Sequence, residues 1–171
     1  MKTAKNSIYT LLLMVLSVGF VACEQESFEP ILTTEAGAGT LTEFTAYELS
    51  AMAGDSLNGR VVFWRGNDGK TLVQLSLYNV GMEEEMPSAI IGGATGDATG
   101  MLVDLYTVTN TGEGFDFGEF STAKYFVIDD LDFYDGLAEY DAHVTVYADN
   151  SLTAIRTQGD IGLNADPIES N

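Results

Sequence analysis

The chain has 171 residues, with 7 Lys and Arg against 26 Asp and Glu, a formal charge of −19. So acidic a molecule repels phosphate backbones and anionic headgroups, which excludes nucleic acid as an expected partner and leaves cations, basic partners or plain solubility. Hydrophobic residues at 46% and aromatics at 11% exclude a disordered acidic tail and are enough to build a packed interior.

The chain opens with Lys2 and Lys5, then an apolar run from Ile8 to Ala22. Positive end, short apolar core and small residue follow in the order of a secretory signal peptide. Fifteen residues rise only about 22 Å as a helix, short of the roughly 20 residues that span a bilayer. Val18-Gly19-Phe20-Val21-Ala22-Cys23 resembles the lipobox of bacterial lipoproteins, although Phe20 stands where Leu is usual. The resemblance implies cleavage before Cys23, lipidation of Cys23 and attachment to the bacterial envelope, with the outer membrane as the expected location. More than one acyl chain, at about 0.8 kcal/mol per buried CH₂, gives stable anchoring. Cys23 is the one cysteine, so a lipidated chain has no thiol left for a disulfide or for nucleophilic catalysis. Loss of residues 1–22 removes Lys2 and Lys5 and leaves 149 residues with a formal charge of −21. That length fits a single domain with a core of its own.

Residues 23–40 read as a flexible acidic linker. Glu24, Gln25, Glu26 and Glu29 precede Pro30, and Ala36-Gly37-Ala38-Gly39 is of low complexity. Short alternating runs then begin, separated by turn residues. They cover Phe44 to Leu49, Arg60 to Arg65, Thr71 to Tyr78, Ser88 to Ile91, Gly100 to Val108, Ala123 to Ile128, Glu139 to Tyr147 and Leu152 to Ile161. Gly66-Asn67-Asp68-Gly69 predicts a hairpin whose glycines supply positive φ. In the third run Thr71, Val73, Leu75 and Leu77 share one face. In the fifth, Met101, Val103 and Leu105 are expected opposite Asp104 and Tyr106. Gly81 to Met86 reads as a loop closed by Pro87. About eight antiparallel strands without an amphipathic helix predict an all-β sandwich, immunoglobulin-like or superoxide-dismutase-like. The domain is expected over residues 41–164, with a tail over 165–171.

Ala89-Ile90-Ile91-Gly92-Gly93-Ala94-Thr95-Gly96-Asp97-Ala98-Thr99-Gly100-Met101-Leu102-Val103-Asp104-Leu105 resembles the centre of the CHRD domain, a module named for chordin. Phe44-Thr45-Ala46 resembles its opening strand, while Tyr140 and Gln158-Gly159-Asp160-Ile161-Gly162 stand where its closing motifs would fall. The resemblance implies a β-sandwich over residues 41–164. It carries no histidine chemistry across, because Ile90 and Gly92 replace the central histidines and His143 is one residue out of step.

Several residue groups are candidates for chemistry. His143, the single histidine, shares a strand face with Asp141, an arrangement suited to a metal or a general base. One imidazole is too few for catalytic zinc, and a half-exposed strand residue is the expectation. Asp130, Asp132 and Asp135 are candidate calcium ligands, since calcium gathers loop carboxylates. Tyr134 breaks the EF-hand spacing, so a solvated acidic loop is the alternative. Glu83-Glu84-Glu85 reads as a solvated run. Phe115, Phe117, Phe120, Tyr125, Phe126, Phe133 and Tyr134 are expected to pack a long connection onto the sandwich, or to stack on sugars if exposed. Trp64 is expected in the core. The absence of a Gly-x-Ser-x-Gly elbow and of a second histidine argues against nucleophilic catalysis. These observations add up to an expectation: a lipid-anchored, non-enzymatic envelope module with a binding or structural role. An envelope protein or glycan is its expected partner. Calcium-dependent adhesion or carbohydrate binding is the variant, and a hydrolase built on paired carboxylates is the outside reading.

Overall fold

The computed structural model describes residues 40–81, 83–111, 122–130 and 132–171. Cys23, the apolar run, the linker up to residue 39, and Phe115, Phe117 and Phe120 lie outside them. Nine strands occur among the described residues: β1 (Leu41–Ala51), β2 (Asn58–Gly66), β3 (Thr71–Tyr78), β4 (Glu85–Gly92), β5 (Gly100–Thr109), β6 (Thr122–Ile128), β7 (Asp141–Tyr147), β8 (Ile155–Gly162) and β9 (Glu169–Ser170). A four-residue helix, α1 (Phe133–Gly136), runs into a 3₁₀ turn at Leu137–Glu139.

The strands hydrogen-bond in the order β5-β4-β7-β8-β1-β2-β3-β6, all antiparallel, with β9 added beside β1. The sheet curls until its two end strands meet, where Lys124 Nζ of β6 donates to the Thr107 carbonyl of β5. The fold is therefore all-β, as expected, in the form of a nearly closed, barrel-like sheet. Its interior follows from strand alternation. Tyr47, Leu49, Val61, Phe63, Val73, Leu75 and Leu77 point inward from one half, and Met86, Ile90, Val144, Val146 and Ile161 from the other. Phe133 of α1 packs against this core, its ring 6.0 Å from Phe63 and 5.1 Å from Tyr140. No helix among the described residues is long and apolar enough to cross a membrane.

Turn chemistry matches the expected hairpin. Gly69 has φ +82°, its N–H donates to the Gly66 carbonyl, and β2 pairs with β3 in continuous register. Of the turn's two glycines only Gly69 uses positive φ. Four expectations change. Pro87 does not end a loop but lies inside β4, opposite Thr107 of β5. It is tolerated because β7 pairs with β4 only from Ser88 onward, so no partner needs the missing N–H there. In β5 the alternation breaks: Tyr106 has φ +60°, and the register slips between Ser88 and Ala89. The bulge turns Leu105 and Val108 inward while Met101 stays 48% exposed. Trp64 is only half-buried, resting on Phe44 at 4.8 Å on the outer face. Finally, residues 165–171 are stitched into the sheet: Ile168 N–H donates to Ala46 O, Asn171 N–H to Phe44 O, and β9 pairs with Thr45 and Ala46.

Candidate functional site

Strand β1 divides one edge between two neighbours. β9 takes Thr45 and Ala46, β8 takes Ser50 and Ala51, and the registers leave Tyr47 to Leu49 between them. At this fork β8 comes close to β1 through Gly159, where a Cβ would lie 2.0 Å from the Glu48 carbonyl oxygen. No residue but glycine permits that approach. An open cleft of about 410 Å³ lies at the fork. Tyr47, Glu48, Ser50, Ala51 and Met52 line it from β1 and its exit, and Gln158, Gly159 and Asp160 line it from β8. Thr95 enters from the β4–β5 loop, and Ala165, Asp166 and Ile168 from the segment ahead of β9.

The β4–β5 loop is held down at this wall. Thr95 donates its backbone N–H and its hydroxyl to the Asp160 carboxylate at 2.6 and 3.0 Å. Register places His143 of β7 beside Asp160 of β8 and Ile91 of β4. Its Nδ1 lies 2.7 Å from the Gly93 carbonyl, so that nitrogen carries the proton and donates it. Gly93 itself, at φ +85°, makes the sharp departure from β4. These bonds fasten the loop over the outer sheet face and bury His143 to 3% exposure. The expected half-exposed histidine is therefore a buried one, because a loop rather than solvent covers its face. Asp141 points to solvent and accepts from Asn164 Nδ2 at 2.8 Å, apart from the imidazole's own partner.

The cleft carries one sign of charge. Glu48, Asp160 and Asp166 line it, and no Lys, Arg or His does. All five described Lys and Arg side chains have partners of their own. Arg60 faces Glu169, Arg65 faces Glu43 and Asp135, Lys70 faces Asp129, and Arg156 binds Asp55 and Glu84. Lys124 holds the Thr107 carbonyl. Glu48 lies directly opposite Arg60 in the β1–β2 register, Asp160 accepts both bonds from Thr95, and Asp166 is exposed at the mouth.

The other candidates are placed as follows. Asp130 Oδ1 accepts the Asp132 backbone N–H at 3.1 Å, a local turn contact. Asp135 pairs with Arg65 at 2.9 Å. The three carboxylates proposed for calcium are thus not gathered on one point. Among the described residues, no three His, Cys, Asp or Glu side chains are grouped to hold a metal ion. The same acidic segment does reach Tyr140, whose hydroxyl pKa is raised above the usual 10, first by burial and then by Asp130 and Asp132. Glu83 and Glu85 are exposed, as expected of a solvated run, whereas Glu84 is partly buried and ion-paired. Tyr125 is exposed at 55%, while Phe126 and Phe133 are in the core.

The cleft residues escaped the sequence reading. Glu48, Thr95, Gln158, Asp160 and Asp166 fall in four separate stretches, and nothing in their local patterns brings them together. The one signal was Gly159 inside a strand pattern, the mark of a close backbone approach.

Comparison of the chain with protein-family models, with curated proteins and with solved structures finds no match in any of the three.

Proposed function

We propose that this chain is a lipid-anchored, non-enzymatic module of a bacterial cell envelope, attached through Cys23, whose CHRD-like β domain binds a partner at the β1 fork. The observation that carries the reading is the order Lys2 and Lys5, the apolar run Ile8–Ala22, then the chain's single cysteine at position 23. A signal too short to span, ending on a small residue before cysteine, suits a lipid anchor better than a transmembrane one. The all-β domain begins at Leu41, which leaves residues 23–40 to serve as the tether in this reading. The fork supplies the binding face: about 410 Å³ is within the range of small-molecule and side-chain sites. The buried imidazole, bonded to a carbonyl, is not offered to that cleft as a base, which favours binding over catalysis.

Expression in a bacterial host fed labelled palmitate tests the anchor. Wild-type protein takes up label and pellets with membranes, whereas Cys23→Ser is unlabelled and released. Equal labelling of both proteins, or labelling of neither, contradicts the reading.

A further inference from the structure

We infer that a second copy of this chain docks on the outer face of the seam between β5 and β6, about a two-fold axis, to form a homodimer. The sheet ends at these two strands, and no strand pairing joins them. They meet where Lys124 Nζ donates to the Thr107 carbonyl, near the end of β5 and the start of β6. Of the eight large hydrophobic side chains exposed among the described residues, five lie on this pair: Met101 at 48%, Leu102 at 55%, Tyr106 at 68%, Tyr125 at 55% and Val127 at 48%. Such a concentration differs from the single exposed apolar residues that any surface carries. Local geometry turns them outward. Phe126 and Ile128 point into the core, so Tyr125 and Val127 point out. Leu102 is the unpaired extra residue where the β4–β5 register slips between Ile90 and Ile91, and Tyr106 sits at φ +60°. Tyr125 lies beside Gln74 in register, and Val127 beside Leu72 and then Trp64, all three half-buried, so the patch runs on across β3 to β2.

Area and charge choose the occupant. At roughly 150–250 Å² for a large side chain, the five exposed fractions leave roughly 400–700 Å² of surface. Two such patches face to face bury roughly 800–1,400 Å², and the half-buried rim carries the total into the range of about 1,200–2,000 Å² that a specific interface needs. A second copy brings an equal apolar patch by symmetry, with no other chain required. The two strands carry one acid and one base, Asp104 and Lys124, in a chain of formal charge −19. With the two-fold axis along the seam, β5 of one copy lies over β6 of the other, which keeps the two Asp104 carboxylates on opposite sides. No residue of β5 or β6 lines the fork cleft, so this inference stands apart from the fork reading.

Sedimentation equilibrium of the full-length protein in density-matched detergent, over a wide range of concentration, tests this. The expected species is a dimer that dissociates on dilution. Leu102→Glu combined with Val127→Glu, both at exposed positions, sets like charges against each other across the interface. The double variant is expected to weaken association by about tenfold or more, with the melting temperature of the dilute monomer unchanged. Leu163→Glu, at an exposed position off the seam, is expected to leave association unchanged. Peroxide footprinting reads the face itself, since oxidation of Met101 to its sulfoxide should slow as the dimer fills. A monomer at every concentration overturns the proposal. So does a dimer untouched by the double variant, one weakened as much by Leu163→Glu, or Met101 oxidation that ignores concentration. If the protein is monomeric and Met101 is still protected, the chain covers its own seam and the proposal falls. Palmitate labelling at Cys23 is independent of every one of these results.

Discussion

Arg156→Ala should uncouple three parts of the sheet at once. From β8 its guanidinium reaches Asp55 in the β1–β2 connection through Nε at 2.6 Å and Nη2 at 3.1 Å. Nη1 reaches Glu84, just ahead of β4, at 3.0 Å. The pKa of Asp55 falls from 3.8 to about 2, chiefly through its hydrogen bonds from Arg156, then through the backbone N–H of Leu57. At about 1.4 kcal/mol per pKa unit that shift corresponds to at most about 2.4 kcal/mol. The paired side chains keep 21% and 23% of their surface exposed. Solvent screening and the share owed to backbone donors therefore reduce the Arg156 contribution to about 1–2 kcal/mol. For a domain of this size the melting temperature should fall by about 4–8 °C. The sign with pH follows from the lowered pKa. Above about pH 5 the carboxylate is ionised in both folded and unfolded chains, and the stabilisation is complete. It is lost as pH falls from the unfolded value of 3.8 through the folded value of about 2. Urea unfolding followed by fluorescence of Trp64, the single tryptophan, measures the difference between wild type and variant at several pH values. A difference that is absent near neutrality, or that persists undiminished near pH 2, would refute the reasoning.

Four further outcomes are expected. Gly93→Ala places a Cβ 2.1 Å from the Asp97 carbonyl at a positive φ, whereas Gly96→Ala meets nothing within 4 Å. The Gly96 change should cost about 1 kcal/mol of left-handed strain and the Gly93 change about 2–4 kcal/mol, read as urea midpoints; equal costs would show that the loop is not pinned at Gly93. His143→Ala removes the bond to Gly93 O and opens space under the loop, so hydrogen exchange should accelerate at residues 93–99 with stability falling by about 1–3 kcal/mol; unchanged exchange there would deny the histidine its fastening role. Tyr47, Tyr140 and Tyr147 all have hydroxyl pKa values raised by burial. The unfolded chain then releases these protons first, and stability should decline as pH climbs above about 10. Asp130→Asn with Asp132→Asn should lower the Tyr140 value in an ultraviolet titration, and an unmoved titration would remove those carboxylates from its surroundings.

Much of the fold was legible where burial alternates along a strand, as in β3 and β8, whereas β4 and β7 are buried on both faces. Thr71, Val73, Leu75 and Leu77 alternate in the sequence and are all fully buried in β3. The Gly69 turn and β8 are legible for the same reason: local chemistry and burial agree. What escaped depends on distant partners. The β5 bulge at Tyr106 is invisible in an alternating run until β4 supplies the register. Glu169 and Ser170 form a strand only because β1 offers them an edge, and their polarity reads as a tail. Phe133 to Glu139 is too short for helical periodicity, and α1 has no side-chain N-cap bond to announce it. His143 alternates as an outward residue, which it is, yet the β4–β5 loop buries it. The cleft arises from the same cause, a strand divided between two neighbours, and pairing of that kind leaves no mark on residues 48, 95, 160 and 166.

The chemistry of one atom, the sulfur of Cys23, decides whether the chain is lipid-anchored. Mass spectrometry of the mature protein recovered from bacterial membranes reads it outright. The predicted N-terminal peptide starts at Cys23 and carries a thioether-linked diacylglycerol. A peptide that runs through Ala22 into an unmodified cysteine, or one that begins beyond Cys23, would contradict it.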